Sequence, residues 1–101
     1  MVNILNEKDF EKEVLNFEGT VLIDFYADWC GPCKMLSPII EEVSEEYTDV
    51  KFLKVNVDNS PALASEFGIV SIPTLIAIKD RKIIAQNVGY CTKEAIVGMI
   101  S

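Results

Sequence analysis

The chain has 101 residues, half of them hydrophobic, and its 16 acidic residues against 9 basic ones give a formal charge of −7. That length suits one domain able to bury about two-thirds of its unfolded surface, so a core forms without staples. The charge repels phosphate backbones and anionic lipids, which excludes nucleic acid and membrane surfaces as expected partners.

No apolar run approaches the ~20 residues of a membrane span. Met1-Val2-Asn3-Ile4 shows neither the basic nor the apolar region of a signal peptide. An odd number of cysteines, 3, argues against a secreted disulfide framework. A cytoplasmic domain spanning residues 1–101 is expected.

Val2 to Leu5 is a short strand candidate, and Asn6 is a candidate cap for a helix with Phe10, Val14 and Phe17 on one face, ended by Gly19. Thr20 to Ala27 follows as a buried strand. Helical spacing of Leu36, Ile39, Ile40, Val43 and Tyr47 predicts a long helix from about Pro32 to Tyr47, with Pro38 kinking it. Val50 to Val57 reads as a further internal strand. Ser60-Pro61 reads as a cap and first-position proline opening a short helix that Gly68 closes. Thr74 to Ile78 and Ile83 to Val88 are apolar runs forming a hairpin, and Thr92 caps a last helix carrying Ile96 and Ile100. The order β-α-β-α-β-α-β-β-α makes parallel crossovers give way to an antiparallel pair, so the sheet is mixed.

Trp29-Cys30-Gly31-Pro32-Cys33-Lys34 sits between the buried strand and the long helix. Cysteines at this spacing can close a disulfide across the first helical turn, within the roughly 4.4–6.8 Å that disulfides span between Cα atoms. Pro32 suits the first helical position, where its missing N–H costs nothing. A thiolate at Cys30, just before the helix, is stabilised by the helix N-terminus and is expected to be exposed there. A structural disulfide over so short a loop gains little. A zinc site needs four ligands, and the chain has no histidine and no second cysteine pair. No metal site is expected, and the reading is a redox-active dithiol.

Asp24 interrupts the apolar strand on the face opposite Ile23 and Phe25. A carboxylate there is costly unless neutral or partnered, so Asp24 is either a solvated strand end, a structural partner of Lys54, or a perturbed acid beside the dithiol. Cys91 falls where a small apolar residue enters the last helix. It reads as a buried filler, with a regulatory thiol as the alternative.

These residues resemble the thioredoxin family over essentially the whole chain. The resemblance is carried by the Trp-Cys-Gly-Pro-Cys segment together with Asp24, Pro38, Lys54, Ile72-Pro73-Thr74 and Gly89. It implies an α/β thioredoxin fold, with a central mixed five-stranded sheet in the order 1-3-2-4-5 flanked by four helices. It also implies a Cys30–Cys33 disulfide, with Asp24 behind Cys33 assisting its proton transfer and Lys54 modulating that acid. Pro73 is then cis, against a prior of about 5–6% for any X–Pro bond. Trp29, Ile72, Pro73, Gly89 and Tyr90 form a substrate surface around the active-site turn Trp29, Gly31 and Pro32, with a substrate segment bonding to Ile72 as an added strand.

The implied activity is general protein-disulfide reduction. The alternatives are an electron donor dedicated to one enzyme, and an oxidase or isomerase. Oxidising relatives such as protein disulfide isomerase carry a histidine before the second cysteine, which stabilises the reduced form. Pro32 stands there here, which favours a reductant. The chain carries no nucleotide motif and is expected to need no cofactor. It would act as a monomer, reset by an external thioredoxin reductase, NADPH- or ferredoxin-linked. One departure from the family lies in the hairpin, where Lys79-Asp80-Arg81-Lys82 lacks the usual glycine. A type I turn with a bulge is expected there rather than a tight type I′ turn.

Overall fold

The structure, a computed structural model, describes residues 1–101. Its central strand is Thr20–Tyr26 (β2), buried along almost its whole length. A strand covered on both faces must be apolar on both, which is why Val-Leu-Ile-Asp-Phe reads as a run broken only by Asp24. On one side β2 pairs in parallel with Lys51–Asn56 (β3). On the other it pairs antiparallel with Thr74–Lys79 (β4). Asn3–Ile4 (β1) extends the sheet beyond β3, and Lys82–Val88 (β5) closes it beyond β4. The order is β1-β3-β2-β4-β5, the mixed sheet of the thioredoxin fold.

Alternation along β2 sorts the two cores. Leu22 joins Leu75 and Ala77 under the long helix Gly31–Glu46 (α1) and the last helix Lys93–Ile100 (α3), with Leu36, Ile40 and Ile96 filling the gap. Ile23, Phe25 and Ile76 face the other way, onto the first helical segment and the short helix Pro61–Glu66 (α2), against Val14 and Leu63. Fully burying a side chain such as Phe25 contributes roughly 1.5–3 kcal/mol. Lys93 ties α3 to α1 by reaching Glu42 and Glu46 at 2.7 and 2.8 Å, and the Thr92 hydroxyl caps α3 by accepting from the Ala95 N–H at 3.2 Å.

Three local expectations are corrected. The first helical segment is not an α-helix capped by Asn6, whose side chain makes no capping bond. It is a 3₁₀ turn, Glu7–Asp9, running into a π-helical stretch, Glu11–Leu15, closed by the Asn16 N–H donating to the Glu11 carbonyl at 2.9 Å. Phe10, Val14 and Phe17 still face the core, while Lys51 takes the Glu13 carbonyl at 3.0 Å, supplying from the sheet a partner that a regular helix would find within itself. Nor does Ser60 cap α2 through its side chain. Glu7 does so instead, its Oε1 accepting from the Ala62 and Leu63 N–H groups at 3.2 and 3.4 Å.

The hairpin is the third. Asp80 and Arg81 alone join β4 to β5, both at positive φ (53° and 67°), which is the pattern of a type I′ turn. That turn's twist matches the flanking strands, and here the match outweighs the lack of glycine. A register shift does occur, but within the ladder between Ala77 and Ile78 rather than at the turn.

Candidate active site

The chain leaves β2 at Tyr26 and enters α1 at Gly31, one residue earlier than Pro32, so the cysteine motif spans the strand-to-helix turn. Cys30 is the N-cap of α1, in extended conformation, and its Sγ accepts from the Cys33 N–H at 3.2 Å. A sulfur thus occupies the place usually taken by a serine or aspartate oxygen. The two cysteines form a disulfide, with their Cα atoms 5.3 Å apart. The expectation of an exposed Cys30 is not met, since Cys30 is 4% and Cys33 3% exposed. What separates them is their surroundings. Cys30 Sγ lies 3.9 Å from the Ile72 carbonyl oxygen, a contact and not a hydrogen bond while the sulfur carries no proton. Cys33 lines a cavity on the other side.

That cavity, of about 130 Å³, is lined by Asp24, Tyr26, Asp28, Cys33, Lys34 and Lys54 among others. Asp24 is 5% exposed, and its Oδ1 has no hydrogen-bond partner. Burial pushes its carboxyl up from the ordinary 3.8 to about 7, and the positive charge of Lys54 only partly opposes this. Lys54 is Asp24's register partner on β3, yet its Nζ lies 5.7 Å from the centre of the Tyr26 ring and does not bond the carboxylate. Asp24 is therefore neither a solvated strand end nor half of a bonded ion pair.

The antiparallel register sets Thr74 beside Phe25, which carries the residues before β4 to the cysteine end of β2. There the Ile72–Pro73 peptide is cis, as the resemblance implies. The Thr74 hydroxyl donates to the Ser71 carbonyl at 2.6 Å, and the Gly89 N–H donates to the Pro73 carbonyl at 2.7 Å. Gly89 sits at φ +94°, where a side chain would be strained. Trp29 is 71% exposed, and Tyr90 is also exposed. A cleft of about 160 Å³ beside the turn is lined by Trp29, Val57, Ile69, Val70 and Ile72.

Cys91 is buried against Leu36, Ile40 and Ile96 in the core under α1 and α3. Burial, and secondarily the Asp24 charge, push its thiol pKa up. Both fit the filler reading.

Sequence reasoning missed what holds Trp29. Its Nε1 donates to Asp58 Oδ2 at 2.9 Å. A tryptophan N–H calls for an acceptor, but among 16 acidic residues nothing in the spacing singles out Asp58. Val57, Ile69 and Val70 were also missed, and Val70 at 96% exposure stands out only once the fold places it beside Trp29.

The arrangement performs dithiol–disulfide exchange: a cysteine pair that opens and closes, next to an acid able to take up or release a proton near neutral pH. Comparison with known proteins agrees. The family model described as Thioredoxin matches residues 1–101. The thioredoxin of Chlamydia trachomatis serovar D is 43% identical over 101 residues, covering 100% of this chain and 97% of the relative. That of Rickettsia felis is 44% identical over 102 residues, with 100% and 97% covered, and that of Haemophilus influenzae 42% over 98 residues, with 96% and 92% covered. With its sheet order, its cysteine pair and its whole length matching, the chain is a disulfide oxidoreductase and belongs to the thioredoxin family.

Proposed function

We propose that the chain is a general protein-disulfide reductase. The observation that carries this reading is the Cys30–Cys33 pair at the N-terminus of α1 with the unpartnered Asp24 carboxyl in the cavity beside Cys33.

In the reduced protein Cys30 is the nucleophile. Its thiolate is favoured by the Cys33 N–H and by the positive end of α1. It attacks one sulfur of the substrate disulfide, whose S–S bond breaks, and a Cys30–substrate disulfide forms as the first substrate thiolate leaves. The Cys33 proton passes to Asp24, through water for which the cavity has room. The Cys33 thiolate then attacks Cys30 Sγ, closing Cys30–Cys33 and releasing the second substrate thiolate. Two electrons reach the substrate, and its sulfurs take up protons from Asp24 and solvent.

Lys54 sets how readily Asp24 holds the proton, since its charge is what opposes burial. Gly31 and Pro32 shape the turn. Trp29, Ile72, Pro73, Gly89 and Tyr90 receive the substrate, whose backbone bonds at Ile72 as an added strand. An apolar, backbone-reading face does not demand one sequence, which supports a general role over a dedicated one. The protein works as a cytoplasmic monomer reset by a thioredoxin reductase, NADPH- or ferredoxin-linked.

Pro32 supports the reducing direction, because no cation at that position favours the thiolate form. Equilibration with glutathione buffers tests it. A reductant stays largely in its disulfide form where an oxidase of this fold is largely reduced, and a pair found reduced in such buffers would overturn the reductase reading.

A further inference from the structure

Asn56, the last residue of β3, is a buried polar side chain at 7% exposure that the exchange chemistry does not use. Its Oδ1 accepts from the Asp58 N–H at 2.9 Å, and its Nδ2 donates to Asp28 Oδ2 at 3.4 Å, the long end of a hydrogen bond. Its own carbonyl accepts from the Asn59 and Ser60 N–H groups at 3.1 and 3.0 Å. One residue therefore fixes the turn that leaves β3 and reaches across to the residue preceding Trp29. The Val57 N–H donating to the Tyr26 carbonyl at 2.9 Å keeps the two strand exits together.

This bears on Trp29, whose only hydrogen bond is to Asp58 on that turn. Both Trp29 and Asp58 are exposed, so water competes for each end of the bond. Such a bond orders a large side chain only where the acceptor is already held in place. Asn56 is what holds it, by the side-chain-to-backbone bond that shapes asparagine turns.

We propose that Asn56 is a positioning residue for the exchange reaction: through the Asp58 turn it fixes the Trp29 indole as one wall of the apolar cleft beside the disulfide, and through Asp28 it anchors the segment that carries that indole. The proposal rests on the reading of Trp29 as a substrate-facing residue.

Trp29 is the sole tryptophan, so intrinsic fluorescence reports on it alone. In Asn56→Ala the anisotropy of Trp29 is expected to fall. The KM for insulin as a disulfide substrate should rise about tenfold, as for loss of one hydrogen bond to a charged group, with kcat changing less. Asp58→Ala should give the same losses, and the double variant no more than either alone. Should Asn56→Ala fail to fold, Asn56→Ser keeps a hydroxyl that bonds the Asp58 N–H more weakly and gives up the donation to Asp28, so its Trp29 anisotropy should fall part of the way to that of Asp58→Ala. Unchanged anisotropy in Asn56→Ala or Asn56→Ser, or additive losses in the double variant, would overturn the proposal. A mobile Trp29 with an unchanged KM would leave Asn56 as its anchor but overturn Trp29 as a substrate wall.

Discussion

Asp24 and Lys54 face each other in register across β2 and β3, yet Asp24 Oδ1 bonds to nothing and the Lys54 ammonium lies toward the Tyr26 ring. Opposite charges are neighbours here without being a bonded pair. The lysine softens the cost of burying the carboxylate but does not cancel it, and the acid is left holding its proton up to a pH of about 7.

Function and stability should therefore oppose each other at Asp24. Its folded pKa is raised from 3.8 to about 7, so the folded state holds the proton more tightly than the unfolded chain. The benefit to folding is complete below pH 3.8 and is lost as pH rises through about 7. Above that, the ionised form is disfavoured by burial on the order of 4 kcal/mol relative to the acid. Asp24→Asn is expected to raise the melting temperature at pH 7.5 and to lose most of that advantage near pH 4. A lower melting temperature at pH 7.5 would show that the carboxylate is paired after all.

In the proposed mechanism the same substitution removes the acceptor of the Cys33 proton. In single-turnover reduction of a disulfide substrate, Asp24→Asn should slow release from the mixed disulfide by about 10²-fold or more, the range of a lost general base. Formation of the mixed disulfide should change far less. Release as fast as in the parent would remove Asp24 from the proton path.

The site was legible because its chemistry is local: Cys30, Pro32 and Cys33 lie on one turn, and Asp24 betrays itself as the one charge in a buried strand. The succession of elements was legible because strand and helix periods are clear from Thr20 to Asn56, whereas the strand order 1-3-2-4-5 came only from the family resemblance. The corrected parts depend on partners remote in sequence. Lys51 takes a carbonyl of the first helical segment, and Glu7 caps α2 from 55 residues away. The Asn56–Asp58–Trp29 chain is of the same kind. The mixed-charge hairpin misled for another reason, since strand twist outweighed the local preference of Arg81.

That preference has a measurable cost. An arginine at φ 67° is in a region that costs a side-chain residue roughly 1–2 kcal/mol. Its side chain recovers little, donating from an exposed position to Asn16 Oδ1 at 3.2 Å. Allowing for the entropy of glycine, Arg81→Gly should stabilise the domain by roughly 0.5–1 kcal/mol, read as a higher melting temperature with unchanged insulin reduction. A destabilised variant would mean that the Asn16 bond outweighs the backbone term.

Cys91 offers a test of the opposite kind. Its thiol is buried and its pKa raised, so at neutral pH it stays protonated and unreactive. Cys91→Ala should keep insulin reduction at the parent level and cost roughly 1 kcal/mol of stability through the lost apolar contact. Prompt alkylation of Cys91 in the native, reduced protein would instead make it a reactive thiol.

In the proposed mechanism Cys30 meets the substrate and Cys33 resolves the mixed disulfide from the Asp24 cavity. The most direct measurement is trapping by the single-cysteine variants, with the linked residue identified by mass spectrometry after digestion. Cys33→Ser incubated with oxidised insulin should accumulate a mixed disulfide through Cys30, because nothing remains to resolve it, while Cys30→Ser should accumulate none at the active site. Equal trapping by the two variants, or a stable adduct through Cys33, would contradict the assignment.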